Sequence, residues 1–356
     1  MLFFQLFLQN SMLLFFTHIV ELLLAGPAMY NISPSGIGLP EVSLRVVIYI
    51  SGLLVLVLAF IFSQTRSLRR TRRLLNEKEE ALSQIEQQKA QLELRDKNLT
   101  DSLIYAQRIQ EALLPSEEYF RRLFSESFIF FRPKDIVSGD FYWIGENNER
   151  IYVVAADCTG HGVPGALMSM IGMEIIDKAI NDDQIRKPAE ILALLNRGLE
   201  KTFSREKNIG TIIRDGMDIG LCVIDRKKKK IEYSGAFFPL YLIRNNTLSE
   251  YKGDKIIIGM NPEGSEYTSH TIDIQDDDIV YIFSDGYVDQ FGGSENKKFM
   301  YRRFRYLLTR IHTFPVIDQK AILDENINAW MAGNPQLDDI MVLGFKPLSA
   351  PSKYTS

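Results

Sequence analysis

The chain has 356 residues, 46% hydrophobic and 24% charged, which is long for one domain of the usual roughly 100–200 residues and predicts a sizeable domain with extra segments. Its 41 Lys+Arg against 45 Asp+Glu leave a formal net charge of -4, so electrostatics give no case for a nucleic-acid partner. With only two cysteines, Cys158 and Cys222, a disulfide framework and a multi-cysteine zinc cluster are both excluded, as are collagen-like and wholly disordered chains by the composition.

The apolar residues crowd the front. Residues 1–29 are apolar overall yet carry Gln5, Gln9, Asn10, His18 and Glu21. They read as a first membrane span or as a signal peptide, and the lack of a basic n-region favours the span, with 30–41 as a short extracytoplasmic turn. Residues 44–62 (LRVVIYISGLLVLVLAFIF) are broken only by Arg45. About 20 such residues cross a bilayer core of roughly 30 Å. Arg66, Arg69, Arg70, Arg72 and Arg73 follow at once, and the positive-inside rule puts such a cluster on the cytoplasmic side. The expected anchor is therefore 1–63, in the inner (cytoplasmic) membrane, with everything downstream in the cytoplasm.

A linker is expected over 64–114. Within it, 75–113 contains neither Pro nor Gly and repeats every seven residues. One seam position reads Ile85, Leu92, Leu99, Ala106, Leu113, and the other Leu75, Leu82, Lys89, Asp96, Leu103. The pattern predicts a parallel coiled coil and hence a homodimer, with Lys89 and Asp96 weakening the seam while pinning its register. A lone solvated helix is the alternative.

After Pro115 the pattern turns to short β-rich runs, and the globular domain is expected over 115–347, with 348–356 as a flexible tail. Strands are predicted at 151–156, 217–224, 230–235, 240–244, 279–283 and 340–345. Helices are predicted within 165–180 and from Pro188, the latter packing through Ile191, Leu194, Leu195 and Leu199. Without regular βαβ alternation, this is an antiparallel α+β layered domain.

The chemistry falls where strands end. Asp140 lies in SGDFYW, Asp157 opens DCTGHG, Asp285 follows YIFS, and Asp338-Asp339 precede IMVLGF. Any one alone reads as a turn or cap residue. Together they form an oxygen-rich set of the kind that Mg²⁺ or Mn²⁺ prefers, where zinc would ask for His and Cys. Two such ions can clamp both oxygens of an in-line phosphoryl displacement.

The ordered stretches VSGDFYW, AADCTGHGVPGALMSMIG, DGMDIGLCVID, IEYSGAFFPLYLI, FSDGYVDQ and LDDIMVLGF resemble the SpoIIE-type branch of the metal-dependent protein phosphatases, the PPM family related to protein phosphatase type 2C. The resemblance implies a β-sandwich flanked by helices, two bound Mn²⁺ or Mg²⁺ ions, and hydrolysis of phosphoserine or phosphothreonine in proteins by a metal-activated hydroxide. Carried over by position, it implies Asp140 as a metal ligand, Asp157 as the ligand bridging both ions, the backbone carbonyl of Cys158 as a further ligand, and Asp285 and Asp338 completing the set. It also implies a regulatory switch helix over 102–115, whose apolar face is Leu103, Ala106, Ile109, Ala112 and Leu113, and a phosphorylated regulator such as an anti-sigma-factor antagonist as substrate.

Around that set, Gly160 and Gly162 are expected to shape the loop. His161 reads either as a general acid for the leaving alkoxide or as a structural histidine. Arg132 and Lys134 read as phosphate contacts or as a solvated basic edge, and Asp218 as a further ligand or a solvent-facing strand residue. Phe237-Phe238 stand where relatives often carry asparagine, predicting an apolar wall. The competing function is a catalytically weak scaffold that binds a phosphoprotein or regulator, which the complete acidic set disfavours.

Overall fold

The computed structural model describes residues 39–182, 187–204, 215–261 and 266–350, together with Leu14, Thr17, His18 and Glu21. The rest of the predicted span in 1–29 lies outside the described residues. The chain divides into two units, Met1–Asp96 and Lys97–Ser356.

Apart from Leu14, Thr17, His18 and Glu21, the described part of the first unit belongs to one helix, whose last residues count with the second. This helix, α1 (Leu39–Leu113), is 75 residues long. It persists because an apolar run passes directly into a Glu/Lys/Gln/Leu stretch of strong helix formers, and it stops before Pro115, which disfavours the helical conformation in the residue before it. The expected boundary between anchor and linker at 63/64 is therefore not a break in structure. Among the described residues α1 alone is long and apolar enough to cross a membrane.

The second unit is built from two antiparallel five-stranded sheets. One runs β1 (Ser127–Arg132), β12 (Ile340–Phe345), β9 (Ile279–Phe283), β6 (Leu240–Arg244), β7 (Thr247–Tyr251) in spatial order. The other runs β2 (Phe141–Asn147), β3 (Arg150–Cys158), β4 (Met217–Asp225), β5 (Lys230–Ala236), β8 (His270–Asp273). The period of two in the sequence decides which side chain faces which layer. On β3, Ile151, Val153 and Ala155 point between the sheets, whereas Tyr152, Val154 and Ala156 point outward beneath helices. On β9, Val280 and Ile282 point inward while Ile279, Tyr281 and Phe283 point outward.

Helices cover both outer faces, giving a helix–sheet–sheet–helix sandwich. Against the β3 sheet lie α3 (Val163–Asn181) and α4 (Pro188–Ser204), whose Ile191, Leu195 and Leu199 are fully buried while Leu194 is half-buried. Against the other sheet lie α6 (Tyr301–Ile311) and α7 (Val316–Met331) through Phe304, Leu308, Leu323 and Ile327. A short helix α2 (Glu117–Leu123), a one-turn α5 (Gly286–Asp289) and the small ribbon β10 (Phe291–Gly292) and β11 (Lys297–Lys298) complete the described elements. The strands and the two helices predicted within 115–347 all form.

Two expectations need correcting. The start of the predicted tail is tied down: Leu348 packs on the inter-sheet core, and the Arg226 guanidinium donates to the carbonyls of Pro347 (3.1 Å) and Ser349 (3.0 Å). Phe238 is no part of an outer wall, since it is buried between the sheets; only Phe237 is exposed, at 46%.

Candidate active site

The candidate site forms where β3 and β4 end side by side. Asp157 and Asp218 are register partners across that pair, so strand pairing alone places two carboxylates abreast. The loop after Asp157 is pinned to the start of β4: Thr159 N–H donates to the Gly216 carbonyl (2.9 Å), and Gly216 N–H donates to Thr159 Oγ1 (3.0 Å). Gly160 and Gly162 take φ of 83° and 68°, a left-handed conformation that costs any residue bearing a Cβ, and this lets the chain reverse into α3.

Asp140 enters from the loop before β2. It is 1% exposed, and its Oδ2 is buried without a hydrogen-bond partner. The adjacent Asp338 and Asp339 divide their work. Asp339 is buried and accepts from the backbone N–H of Lys134 (2.7 Å, Oδ1) and Gly139 (2.7 Å, Oδ2), clamping the loop that carries Asp140. Asp338 instead lines a cavity of ≈ 340 Å³ shared with Asp157, Asp218, Cys158 and His161. Asp285 lies two residues beyond β9 and is the N-cap residue of α5.

The electrostatics are those of carboxylates confined together. Burial, then the Asp157 charge, holds the Asp140 carboxyl well above the usual carboxylate range. Burial, then Asp285, Asp338 and Asp218, does the same to Asp157. Asp218 is pushed up to about 6 by burial and by Asp285, and Asp285 to about 6 by burial, Asp289 and Asp338. Burial likewise pushes up the Cys158 thiol, leaving its main chain as the available donor. Among the described residues no lysine or arginine lines the cavity.

Such a set fits a divalent cation. The donors are oxygens, one is orphaned and buried, and a nearby positive charge reverses the mutual repulsion. Among the described residues no three of the His, Cys, Asp or Glu side chains close into a ready cage for one ion; they stand around the cavity instead.

Asp135, which the sequence reading passed over, holds the ring of His161: its Oδ2 lies 2.8 Å from His161 Nδ1 at the mouth. Arg132 is committed elsewhere, 2.6 Å from Asn328 Oδ1 and 3.5 Å from Asp324 Oδ1 on α7. Lys134 contributes its backbone N–H to the Asp339 clamp.

A two-sheet sandwich with helices on both faces and an acidic cavity at its strand ends defines the PP2C-like fold class. A family model described as Stage II sporulation protein E (SpoIIE) matches residues 147–347. The chain belongs to the SpoIIE family of PP2C-type serine/threonine protein phosphatases. Asp157, Asp285 and Asp338 lie inside the matched span and Asp140 just before it.

The SiaA-PP2C domain of Pseudomonas aeruginosa is 32% identical with a TM-score of 0.65, over 70% of this chain and 98% of that domain. The PP2C phosphatase domain with a regulatory fragment of SpoIIE from Bacillus subtilis shares the fold, at a TM-score of 0.51 and 15% identity, over 62% of each chain. The phosphoserine phosphatase RsbU of Bacillus subtilis (strain 168) is 26% identical over 159 residues, 43% of this chain and 44% of RsbU. The chain thus spans less than half the length of that curated relative.

Proposed function

We propose that the protein is a membrane-anchored serine/threonine phosphatase that dephosphorylates a regulatory phosphoprotein with the help of two Mn²⁺ or Mg²⁺ ions. The carrying observation is the acidic cavity: a phosphate group cannot enter a space lined by Asp157, Asp218 and Asp338 without cations, and among the described residues no lysine or arginine lining it supplies that charge. The substrate class is supported by the 32% identity to the SiaA-PP2C domain and the likeness to a phosphoserine phosphatase.

Asp140, Asp157, Asp285, Asp338 and the Cys158 carbonyl would hold the ions, with Asp157 serving both. When bound, such ions supply an activated water and neutralise the phosphoryl charge. His161, its ring oriented by Asp135, is placed at the cavity mouth to pass a proton to the leaving serine or threonine oxygen. Gly160 and Gly162 keep the loop between them in its turn, and Asp218 adds negative charge beside Asp157.

The anchor reading rests on the apolar length of α1 followed by Arg66 to Arg73, which orients the catalytic unit to the cytoplasm of an inner membrane. The dimer reading rests on seam residues that a single chain leaves in solvent: Leu75, Leu82, Ile85, Leu92 and Leu99 are all exposed. A phosphorylated regulator, such as an anti-sigma-factor antagonist, is the substrate we favour. Full-length protein in detergent, assayed on a phosphoserine peptide with and without Mn²⁺, tests the reading; turnover unaffected by chelation contradicts it.

A further inference from the structure

The linker helix reaches the site through one amide. Gln110, near the end of α1, is 4% exposed, while Ile109 and Leu113 beside it are 43% and 49% exposed. The helix thus buries a glutamine and leaves apolar neighbours in solvent, the reverse of ordinary amphipathic packing. Gln110 Nε2 donates to the Ser138 carbonyl (2.7 Å) and to Ser169 Oγ (2.9 Å), and the Ser138 N–H donates to Gln110 Oε1 (3.1 Å).

Both main-chain polar groups of Ser138 are therefore closed by a single side chain from another element. Ser138 lies two residues before Asp140, in a turn outside the sheet ladders; Asp339 also clamps this turn through the Gly139 N–H, and the Cys158 N–H donates to the Gly139 carbonyl (3.4 Å). Ser169 lies on α3, which directly follows the loop of Asp157 and His161. One amide thus joins the linker helix to the Asp140 loop and to the helix that follows the Asp157 loop. Buried amides left without partners are costly, so the contact holds its geometry tightly.

We propose that Gln110 is a positioning residue that aims Asp140 at the cation site. The proposal rests on the phosphatase reading above. Loss of groups that orient metal ligands typically weakens metal affinity by about 10–100-fold, and that is the expected size of the effect.

The test uses the full chain in detergent micelles, comparing wild type with Gln110→Ala, the isosteric Gln110→Glu, and Ser169→Ala. Mn²⁺ affinity is read by calorimetry, folding by tryptophan emission, and turnover on a generic phosphate ester as a function of Mn²⁺ concentration. Gln110→Ala and Gln110→Glu should weaken Mn²⁺ by about 10–100-fold. Raising Mn²⁺ should recover most of the turnover with the KM for the ester little changed. Ser169→Ala, which leaves both Ser138 bonds intact, should weaken Mn²⁺ far less.

Wild-type Mn²⁺ affinity in both Gln110 variants, whatever their melting temperatures, would make the residue structural only and overturn the proposal. If Gln110→Ala does not fold, Gln110→Glu decides, since it keeps an acceptor for the Ser138 N–H and replaces the amide donors with a carboxylate oxygen. A wild type that binds Mn²⁺ without hydrolysing the ester contradicts the phosphatase reading and leaves the positioning role to the affinity data. A wild type that binds no Mn²⁺ overturns both.

Discussion

Replacing Asp218 by asparagine should stabilise the protein in chelator and weaken it in Mn²⁺. Asp218 is half-buried opposite Asp157, and its carboxyl is pushed from 3.8 up to about 6 by burial and by Asp285. The folded chain therefore holds this proton more tightly than the unfolded chain. The associated stability is fully present below the unfolded pKa near 4, and is lost as pH rises through about 6. A shift of about two units sets a ceiling of about 3 kcal/mol, and solvent screening of a partly open side chain reduces it to about 1 kcal/mol. Asparagine carries no charge, so at neutral pH the variant should recover about 1 kcal/mol, a rise of about 2–4 °C in melting temperature. The gain should vanish toward pH of about 4, where the wild-type carboxyl is protonated in both states. Added Mn²⁺ should reverse the sign, because ligand stabilisation scales with affinity and the variant has lost a negative charge beside the cation site. Trp143 and Trp330 both lie in the second unit, so tryptophan emission during melts of the full chain reads this unit directly. A variant that melts lower than wild type in chelator at neutral pH, or whose gain persists undiminished near pH of about 4, would refute the reasoning.

Asp339→Ala should destabilise the fold by about 1–3 kcal/mol, because it strands the buried N–H groups it accepts from, whereas Asp338→Ala, which removes one acceptor, that of the Asp339 N–H, should destabilise the chelated protein less; denaturant unfolding compares them. Gly160→Ala meets no atom within 4 Å, so its cost should be the backbone strain alone, about 1–2 kcal/mol in the same assay. Deleting the heptad 89–95 keeps the phase of α1 and should leave membrane-bound phosphatase activity near wild type. Deleting four residues rotates everything downstream by about 40° and should lock activity high or low. Reversing the charge of Arg66, Arg69, Arg70, Arg72 and Arg73 should give mixed orientation of a reporter fused after Ser356.

The strands that the sequence disclosed are those with continuous β-branched runs, such as 151–156 and 279–283, because a strand buried on both faces must be apolar at every position. β7 (TLSEY) and β8 (HTID) went unread because they sit at sheet edges and bury few side chains. β2 went unread as a strand because its residues were absorbed into the SGDFYW motif. At the site, Asp140, Asp157, Asp285 and Asp338 were legible as strand-end carboxylates, but the division between Asp338 and Asp339 depends on contacts some 200 residues apart in sequence. Asp135 and Gln110 were hidden because their partners His161 and Ser138 stand 26 and 28 residues away, beyond any local pattern. The switch-helix face was read by apolarity as Leu103, Ala106, Ile109, Ala112 and Leu113. The structure half-buries Leu103, Ala106, Gln107 and Leu114, fully buries Gln110, and leaves Ile109, Ala112 and Leu113 exposed. A polar residue on the packed side defeats an apolar search, and its spacing from Leu103 and Ala106 was the signal that could have found it.

The most direct measurement is the rate at which the full-length protein releases phosphate from a phosphoserine peptide, with Mn²⁺ and with chelator, for wild type and Asp157→Asn. Turnover by the wild type in Mn²⁺, its loss in chelator, and its loss in Asp157→Asn despite unchanged tryptophan emission are the predicted results. Near wild-type Mn²⁺-dependent turnover in Asp157→Asn would contradict the assignment of the acidic cavity as the catalytic centre.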